Sequence, residues 1–121
     1  METTITIPTL AKGEFYAGII IKDGKPHHHV ILLPGEIEDS GWQKSMDWAP
    51  SIGGMLPDCC EQALLFANLK DQFKESWYWS GAQDASNSNS AWLQSFRKGS
   101  QRGWDKDCRI RARAVRSILV I

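Results

Sequence analysis

The pattern of apolar and polar positions predicts strands in the first third of the chain. Short β-branched or apolar segments favour strands at Thr3 to Ile7 and at Phe15 to Ile21. The turn Lys22 to Lys25 predicts a hairpin, and its second arm is expected at His28 to Leu33. This arm ends in a continuous apolar run, which is typical of a strand that is covered on both faces.

A first short helix is predicted from Trp42 to Ala49. Ser40 and Gln43 precede and open it at the spacing of a capping box, in which each side chain satisfies a free backbone amide. Its buried stripe is expected to consist of the apolar residues that recur at helical spacing, which are Trp42, Met46 and Ala49.

A second helix is predicted to open at Asp58 and to finish near Lys70. Asp58 and Glu61 have the spacing of another capping box. The helical period predicts a buried face of Ala63, Leu64 and Ala67, and an exposed face of Glu61, Gln62 and Asn68.

The last part of the chain returns to strands that polar loops separate. Strands are expected at Trp77 to Ser80 and Ala91 to Phe96, with loops at Gln83 to Asn89 and Gly99 to Asp107. In the closing strand, Ile110 to Ile121, apolar residues alternate with arginines at its start. Both ends of the chain are therefore predicted to be strands, and we expect them to pair.

Composition favours one compact domain, residues 1 to 121. The hydrophobic fraction is 42%, which is enough for a core. Fourteen basic and fourteen acidic residues cancel, which removes the positive field that attracts nucleic-acid phosphates, so nucleic acid is a disfavoured partner. The basic residues nevertheless concentrate in the last quarter, which predicts a local basic surface.

Segments that would direct the chain to a membrane are not recognisable. The start, METTITIPTL, lacks the basic and apolar parts of a leader, and no apolar run approaches the length of a membrane span. The three cysteines are an odd number, and Cys59 and Cys60 are sequence neighbours, so a disulfide framework is not expected. We predict a cytoplasmic protein with no membrane partner.

Several short motifs stand in one order along the chain: Leu56-Pro57 with Glu61, Tyr78-Trp79-Ser80, Ala91-Trp92 with Phe96 and Gly99, and Arg111-Ala112-Arg113-Ala114-Val115-Arg116. Over roughly residues 13 to 118, this order resembles the Lcl C-terminal-domain-like family, domains of largely unassigned function that are common in bacteria and prophages. The resemblance implies an α+β, C-type-lectin-like fold with a twisted, mostly antiparallel sheet and two short helices. The family hosts sugar-, glycosaminoglycan- and protein-binding members, so the resemblance implies binding without naming the ligand.

The segment from Gln94 to Arg109 is the candidate binding surface. Trp104 lies in a predicted loop, so we expect its indole either to contact a partner or to fold back over the core. In the diversified lectin-like domains that this chain resembles, the segment before the last strand supplies the ligand contacts. The predicted binding residues are Gln94, Arg97, Lys98, Gln101, Arg102, Trp104, Lys106 and Arg109.

The remaining aromatic and polar candidates have structural interpretations. The tryptophans in regular elements, Trp42, Trp77, Trp79 and Trp92, are expected in the core. A neighbouring loop of Asn87, Ser88 and Asn89 extends the binding face or is a plain turn.

Metal binding and catalysis are not expected. Calcium needs six to eight oxygen ligands, and Asp105 with Asp107 supplies too few. On a strand, at most two of the rings of His27 to His29 would converge. A helix start would lower the pKa of the Cys59 or Cys60 thiol, but catalysis would also need a base. Formylglycine-generating enzymes share the resembled fold and hold copper with cysteines in their carboxy-terminal region, where this chain has only Cys108. We therefore predict no cofactor, no metal and no enzymatic activity.

Three functional hypotheses remain. The first is a non-enzymatic binding module of phage or prophage type, either virion-associated or free, that recognises a protein or an acidic glycan through the late segment. The second is a phage-encoded inhibitor of a host defence system, similar to an anti-CRISPR protein, that acts by occluding a protein surface. The third is a metal- or thiol-dependent enzyme. Exposed strand edges also leave a homodimer open.

Overall fold

The computed structural model describes residues 4 to 120, which form two β-sheets and two α-helices. One sheet has three strands in the order β1-β2-β8, and the other has five in the order β3-β7-β4-β5-β6. Among the described residues every pairing is antiparallel except that of β4 with β7, so the fold is α+β with mostly antiparallel sheets. In chain order the elements are β1 (Phe15–Lys22), β2 (Lys25–Leu32), β3 (Ile37–Ser40), α1 (Trp42–Ser51), α2 (Cys59–Leu69), a 3-10 turn (Lys70–Gln72), β4 (Trp77–Gln83), β5 (Ser90–Ser95), β6 (Gln101–Asp105), β7 (Ile110–Ala112) and β8 (Val115–Leu119).

The predicted hairpin at the start of the chain is confirmed. Lys22 pairs with Lys25 across the turn, and Asp23 and Gly24 both have positive φ, as a two-residue hairpin turn with the twist of its strands requires. Residues 28 to 33 are all buried, as their continuous apolar pattern predicts. They are covered on both faces because β2 is the central strand of its sheet.

The prediction of pairing between the chain ends is wrong. Thr4 to Ile7 form no strand, and Thr3 lies outside the described residues. The side of β2 that β1 leaves free pairs with β8 over five residues. Pro8 directly follows the alternating Thr and Ile residues and has no amide to donate to a neighbouring strand.

The closing segment is also not one strand. β7 belongs to the five-stranded sheet and β8 to the three-stranded sheet, so the chain changes sheets at Arg113 and Ala114. The Arg113 guanidinium holds this crossing by donating to the carbonyls of Leu33, Gly35 and Gln72. Ile121 lies outside the described residues.

Helix α1 begins as predicted but is capped differently. Gly41 is the N-cap residue and provides no side-chain bond, while Ser40 belongs to β3 and Gln43 donates to Asp47. The predicted capping box is therefore wrong, because β3 pairs with β7 up to Ser40 and the Trp42 amide donates to the Lys106 carbonyl. The predicted stripe is confirmed, since Trp42 and Ala49 are buried and Met46 is half-buried.

Helix α2 has the predicted capping box. The Glu61 amide donates to Asp58 Oδ1 at 2.8 Å, and the Asp58 amide donates to Glu61 Oε1 at 3.0 Å. This reciprocal pair satisfies two amides that the first helical turn leaves free.

The predicted exposed face of α2 is confirmed for Asn68 but wrong for Glu61 and Gln62. Glu61 and Gln62 are buried, whereas Ala63 and Ala67 are exposed. The polar residues turn inward because they have specific partners there. Gln62 Nε2 donates to the carbonyls of Tyr78 and Trp79 at 3.2 and 3.1 Å.

Two hydrophobic clusters fill the interior. One includes Trp42 and Trp79 and lies on the α1 side of the five-stranded sheet, and the other includes Leu65, Tyr78 and Phe96. The core prediction is confirmed for Trp42 and Trp79, but Trp77 and Trp92 are only half-buried. Trp77 packs against the first cluster while keeping part of its ring at the surface.

An ion pair with good geometry anchors β8 to the segment before β1. Arg116 Nε and Nη2 each donate to a different oxygen of the Glu14 carboxylate, both at 2.8 Å. The hydrogen bonds from Arg116 and from the Ala11 amide lower the pKa of Glu14 from 4.5 to about 2. Bidentate geometry of this kind is stronger than a single exposed ion pair.

The Glu14 carboxylate should make stability depend on acid pH. Because the pKa is lowered on folding, the carboxylate stabilises the fold above its ordinary pKa of 4.5, and that contribution is lost as the pH falls toward about 2. We expect Glu14→Gln to unfold at lower denaturant than wild type at pH 6, with the difference shrinking toward pH 2.5. Urea unfolding followed by tryptophan fluorescence measures this, and the exposed Glu75→Gln is the control. An equal difference at both pH values would contradict the assignment.

Candidate binding surface

The predicted loop Gly99 to Asp107 contains strand β6, so the loop prediction is wrong for its central part. β6 pairs with β5 in a regular antiparallel ladder, with Arg102 opposite Leu93 and Trp104 opposite Ala91. Its sequence is polar and contains a glycine, because β6 is the last strand of its sheet and faces water along one edge. A strand is a more rigid support for binding residues than a loop.

The side chains on the two faces of β6 have different roles. Side chains alternate along a strand, so Arg102 and Trp104 share one face and Gln101 lies on the other. Gln101 Nε2 donates to the Cys59 carbonyl at 2.7 Å and to Gln94 Oε1 at 2.8 Å. These bonds fasten β6 to the start of α2 and to β5.

Gln94 is not part of the surface. Its side chain is buried, with 1% exposure, and it donates to the Ser95 carbonyl as well as accepting from Gln101. The prediction of Gln94 as a contact residue is corrected on this ground: residues that face inward on β5 cannot be distinguished from outward ones until the register is known.

The Arg102 side chain lies between two indoles. Its guanidinium carbon is 4.3 Å from the ring centroid of Trp104 and 4.8 Å from that of Trp77. Both contacts are within the range of cation–π attraction, which contributes about 0.5–1 kcal/mol at exposed sites. The stack fixes a flexible side chain in one place while leaving Trp104 44% exposed.

Trp77 separates two cavities on this surface. A cavity of about 210 Å³ lies between Trp77 and Trp104 and is otherwise lined by Leu93, Arg102, Cys108 and Ile110. A second cavity of about 340 Å³, which Trp77 also lines, is otherwise lined by polar residues that include Arg97, Lys98 and Glu75. The surface therefore offers an apolar recess beside a basic one.

The predicted basic residues divide into two groups. Lys106 Nζ donates to Gln83 Oε1 and to the Ser88 carbonyl at 2.8 and 2.7 Å, and it lies 4.6 Å from the Trp42 ring centroid. Arg109 Nε lies 3.2 Å from an Asp39 carboxylate oxygen in an exposed pair. Both cations therefore bond to loops of the protein itself. Lys106 holds the exposed loop that carries Asn87, Ser88 and Asn89.

Arg97, Lys98 and Arg102 form the other group. Within residues 4 to 120, none of the three forms an ion pair or donates a side-chain hydrogen bond, whereas Lys74, Arg109, Arg111 and Arg116 are all paired with acidic side chains. All three are exposed and lie beside Trp77. We call Arg97, Lys98, Arg102 and Trp104, together with Trp77, the β6 surface.

The three histidines are engaged within the fold. His27 Nδ1 and His28 Nδ1 lie 2.7 Å apart, and His28 Nε2 lies 3.0 Å from the buried Glu61 carboxylate. His29 Nδ1 lies 2.7 Å from the Tyr16 hydroxyl, on the opposite face of β2. No group of three or more metal-ligating side chains occurs in the described part of the chain.

The Cys59 thiol at the start of α2 differs from the expectation of a lowered pKa. Burial raises the pKa of Cys59, and this outweighs the bond from Ser80 that acts in the opposite direction. Cys59 is thus a poor nucleophile at neutral pH. Desolvation at this position was not visible from the sequence, because it results from packing against β4.

Comparison with protein-family models and with curated proteins finds no relative. No protein-family model matches the chain, and no curated protein aligns with it significantly. The resemblance to the Lcl C-terminal-domain-like family therefore stays a prediction. Neither helix within residues 4 to 120 is long and apolar enough to cross a membrane.

The burial of the tryptophans predicts that two substitutions destabilise the protein to very different extents. Trp79→Ala should destabilise the protein by about 3–5 kcal/mol, because it empties a fully buried site. Trp104→Ala should cost no more than about 1 kcal/mol, since it removes an exposed ring and one cation–π contact. Urea unfolding of both variants checks this. A large loss of stability in Trp104→Ala would mean that its indole is part of the core.

Proposed function

We propose that this protein is a non-enzymatic binding module that recognises an acidic region of a partner protein through the β6 surface. The observation that carries the proposal is the grouping, around two accessible indoles, of three cations that have no acidic partner among residues 4 to 120. In a chain with equal numbers of acidic and basic residues, such a local imbalance is available for an external anion. Exposed tryptophan and arginine are also the residues most enriched at binding hot spots.

A protein is favoured over an acidic glycan because the surface combines charge with an apolar recess. The cavity between Trp77 and Trp104 is lined mainly by carbon-rich side chains, including Leu93 and Ile110. An apolar side chain would fill it, and sulfated or uronic-acid glycans carry no comparable group. The adjacent Arg97 and Lys98 would then hold a carboxylate through charge-assisted hydrogen bonds.

We further infer a C-type-lectin-like scaffold for this module. Three features support it: the carboxy-terminal strand β8 joins the amino-terminal hairpin, two helices follow that hairpin, and a second sheet completes the fold. A scaffold of this kind presents the late segment on a rigid sheet, which keeps the entropic cost of binding low.

Selection from a peptide library tests the proposal. Immobilised wild-type protein and the triple variant Arg97→Ala/Lys98→Ala/Arg102→Ala would each be used to select from displayed random 12-residue peptides. We expect peptides rich in Asp, Glu and one large apolar residue to be enriched by the wild type. Their affinity for the triple variant should fall by about tenfold or more, equivalent to about 1.4 kcal/mol, because no other cation replaces the lost contacts.

A matched control removes the same charge elsewhere. Lys22→Ala/Lys25→Ala/Lys44→Ala also deletes three exposed positive charges, but none of the three belongs to the β6 surface. It should bind the selected peptides like wild type. If both variants lose binding equally, the effect is one of net charge and the proposal is wrong. A sulfated-glycan array in parallel would assign the surface to a glycan, if only glycans bind and do so through the three cations.

A further inference from the structure

Strand β6 presents a row of outward-facing backbone hydrogen-bonding groups at the edge of its sheet. The Ser95 amide donates to the Ser100 carbonyl at 2.8 Å, and the Lys106 amide donates to the Asn89 carbonyl at 2.9 Å. Because hydrogen bonding alternates along an antiparallel ladder, the backbone amides and carbonyls of Arg102 and Trp104 also face β5. The amides and carbonyls of Gln101, Gly103 and Asp105 therefore point away from the sheet. The Asp105 carbonyl accepts from the Cys108 amide at 3.0 Å, and the other five groups have no backbone partner within residues 4 to 120.

The β6 edge is more regular than that of β1, which is one of the two edge strands of the other sheet. The second edge strand there, β8, is bridged by Met55 at Val115. The pairing of β6 with β5 runs through five consecutive residue pairs without a shift. Strand β1, by contrast, has register shifts between Tyr16 and Gly18 and between Ile20 and Ile21. Such irregularities twist an edge and discourage a further strand, whereas a regular ladder is a template for one.

The side chains beside this edge can contact the side chains of an added strand and so select its sequence. Arg102 and Trp104 lie on one face of β6 at a spacing of two residues, and an added strand would present its own alternate side chains to that same face. An acidic residue there would meet Arg102. The next residue on the same face would lie beside the cavity between Trp77 and Trp104.

We propose that the partner binds as an extended acidic segment that pairs with β6 and becomes the sixth strand of the five-stranded sheet. Main-chain bonds to Gln101, Gly103 and Asp105 supply a sequence-independent part of the affinity. One apolar side chain of the segment occupies the cavity between the two indoles, and flanking carboxylates contact Arg97, Lys98 and Arg102. The inference rests on the proposed function for the charge of the partner.

Backbone methylation of a defined peptide tests strand addition directly. The probe is acetyl-Thr-Glu-Thr-Leu-Thr-Glu-Thr-amide, which places both glutamates and the leucine on one face of an extended chain. Two versions carry N-methyl groups on alternate amides, one on the threonines at positions three and five and the other on the glutamates and leucine. Titration of ¹⁵N-labelled protein with millimolar peptide gives the affinity of each version.

We expect the parent peptide to shift the amide signals of Gln101, Gly103 and Asp105. One methylated version should bind at least about tenfold more weakly, because its methyl groups block the amides that face β6, and the other should bind like the parent. Binding through side chains alone would leave both versions equal to the parent. That result, or the absence of amide shifts at millimolar parent peptide, would overturn strand addition.

A matched pair of protein variants examines the other side of the interface. Gly103→Pro removes one outward amide, while Gly103→Ala keeps it. Both add a Cβ that meets only the end of the Asp84 side chain at 3.0 Å. Proline is tolerated on an edge strand where its missing amide faces solvent. We expect the proline variant alone to lose binding by about tenfold, with both variants folded by circular dichroism.

The two proposals fail in different ways. Loss of binding in Arg97→Ala/Lys98→Ala/Arg102→Ala, with no effect of Gly103→Pro or of methylation, would refute strand addition and leave the acidic-partner function standing. Loss of binding on Gly103→Pro and on methylation, with the triple charge variant unaffected, would refute the acidic partner and leave an uncharged strand as the ligand.

Discussion

The placement of strand β4 is the constraint on which the rest of the structure depends. It is the middle strand of its sheet, between β5 and β7, and Trp79 on it is fully buried. Indole-to-carbonyl hydrogen bonds of 2.9 Å join Trp79 to Ser40 and Trp42 to Ser80, so β4 is tied to β3 and α1. Gln62 adds the connection to α2. Strand β5 pairs with β4, and β6 pairs with β5. These buried bonds therefore also fix the positions of Arg102 and Trp104.

The positions of the ion pairs indicate which basic residues stabilise the fold and which are left for another contact. Arg111 bonds to Glu36 and Glu38, and Arg116 bonds to Glu14, so the arginines of the last strands hold distant segments together. Those ion pairs neutralise much of the positive charge in the last quarter of the chain. Of the basic residues in that quarter, Arg97, Lys98 and Arg102, which lie beside Trp77, have neither an acidic partner nor a side-chain hydrogen bond in the described residues. A positive charge that lacks an acidic partner and lies beside exposed aromatic rings is best explained by an external contact.

The sequence predicted elements whose signals are local and missed those that depend on pairing. The hairpin turn, both helices and the Asp58 cap follow from short-range chemistry, and the structure contains them. Strand β6 was missed because an edge strand needs no apolar face, and the inward face of α2 was misplaced because Glu61 and Gln62 find buried partners on distant strands. For the same reason the late segment could be chosen as the candidate surface, but Gln94 could not be separated from Arg102 without the register of β5 and β6.

An open strand edge invites unspecific association, and the composition of β6 limits this risk. The strand is only five residues long, carries the charged Arg102 and Asp105, and has a glycine at its centre, all of which oppose pairing with an arbitrary strand. A second copy of β6 would bring its own Arg102 and the neighbouring cations toward those of the first, and like charges across a strand pair are unfavourable. The features that discourage self-association thus favour a strand of opposite charge. This combination of protection and selectivity is what distinguishes a recognition edge from an aggregation-prone one.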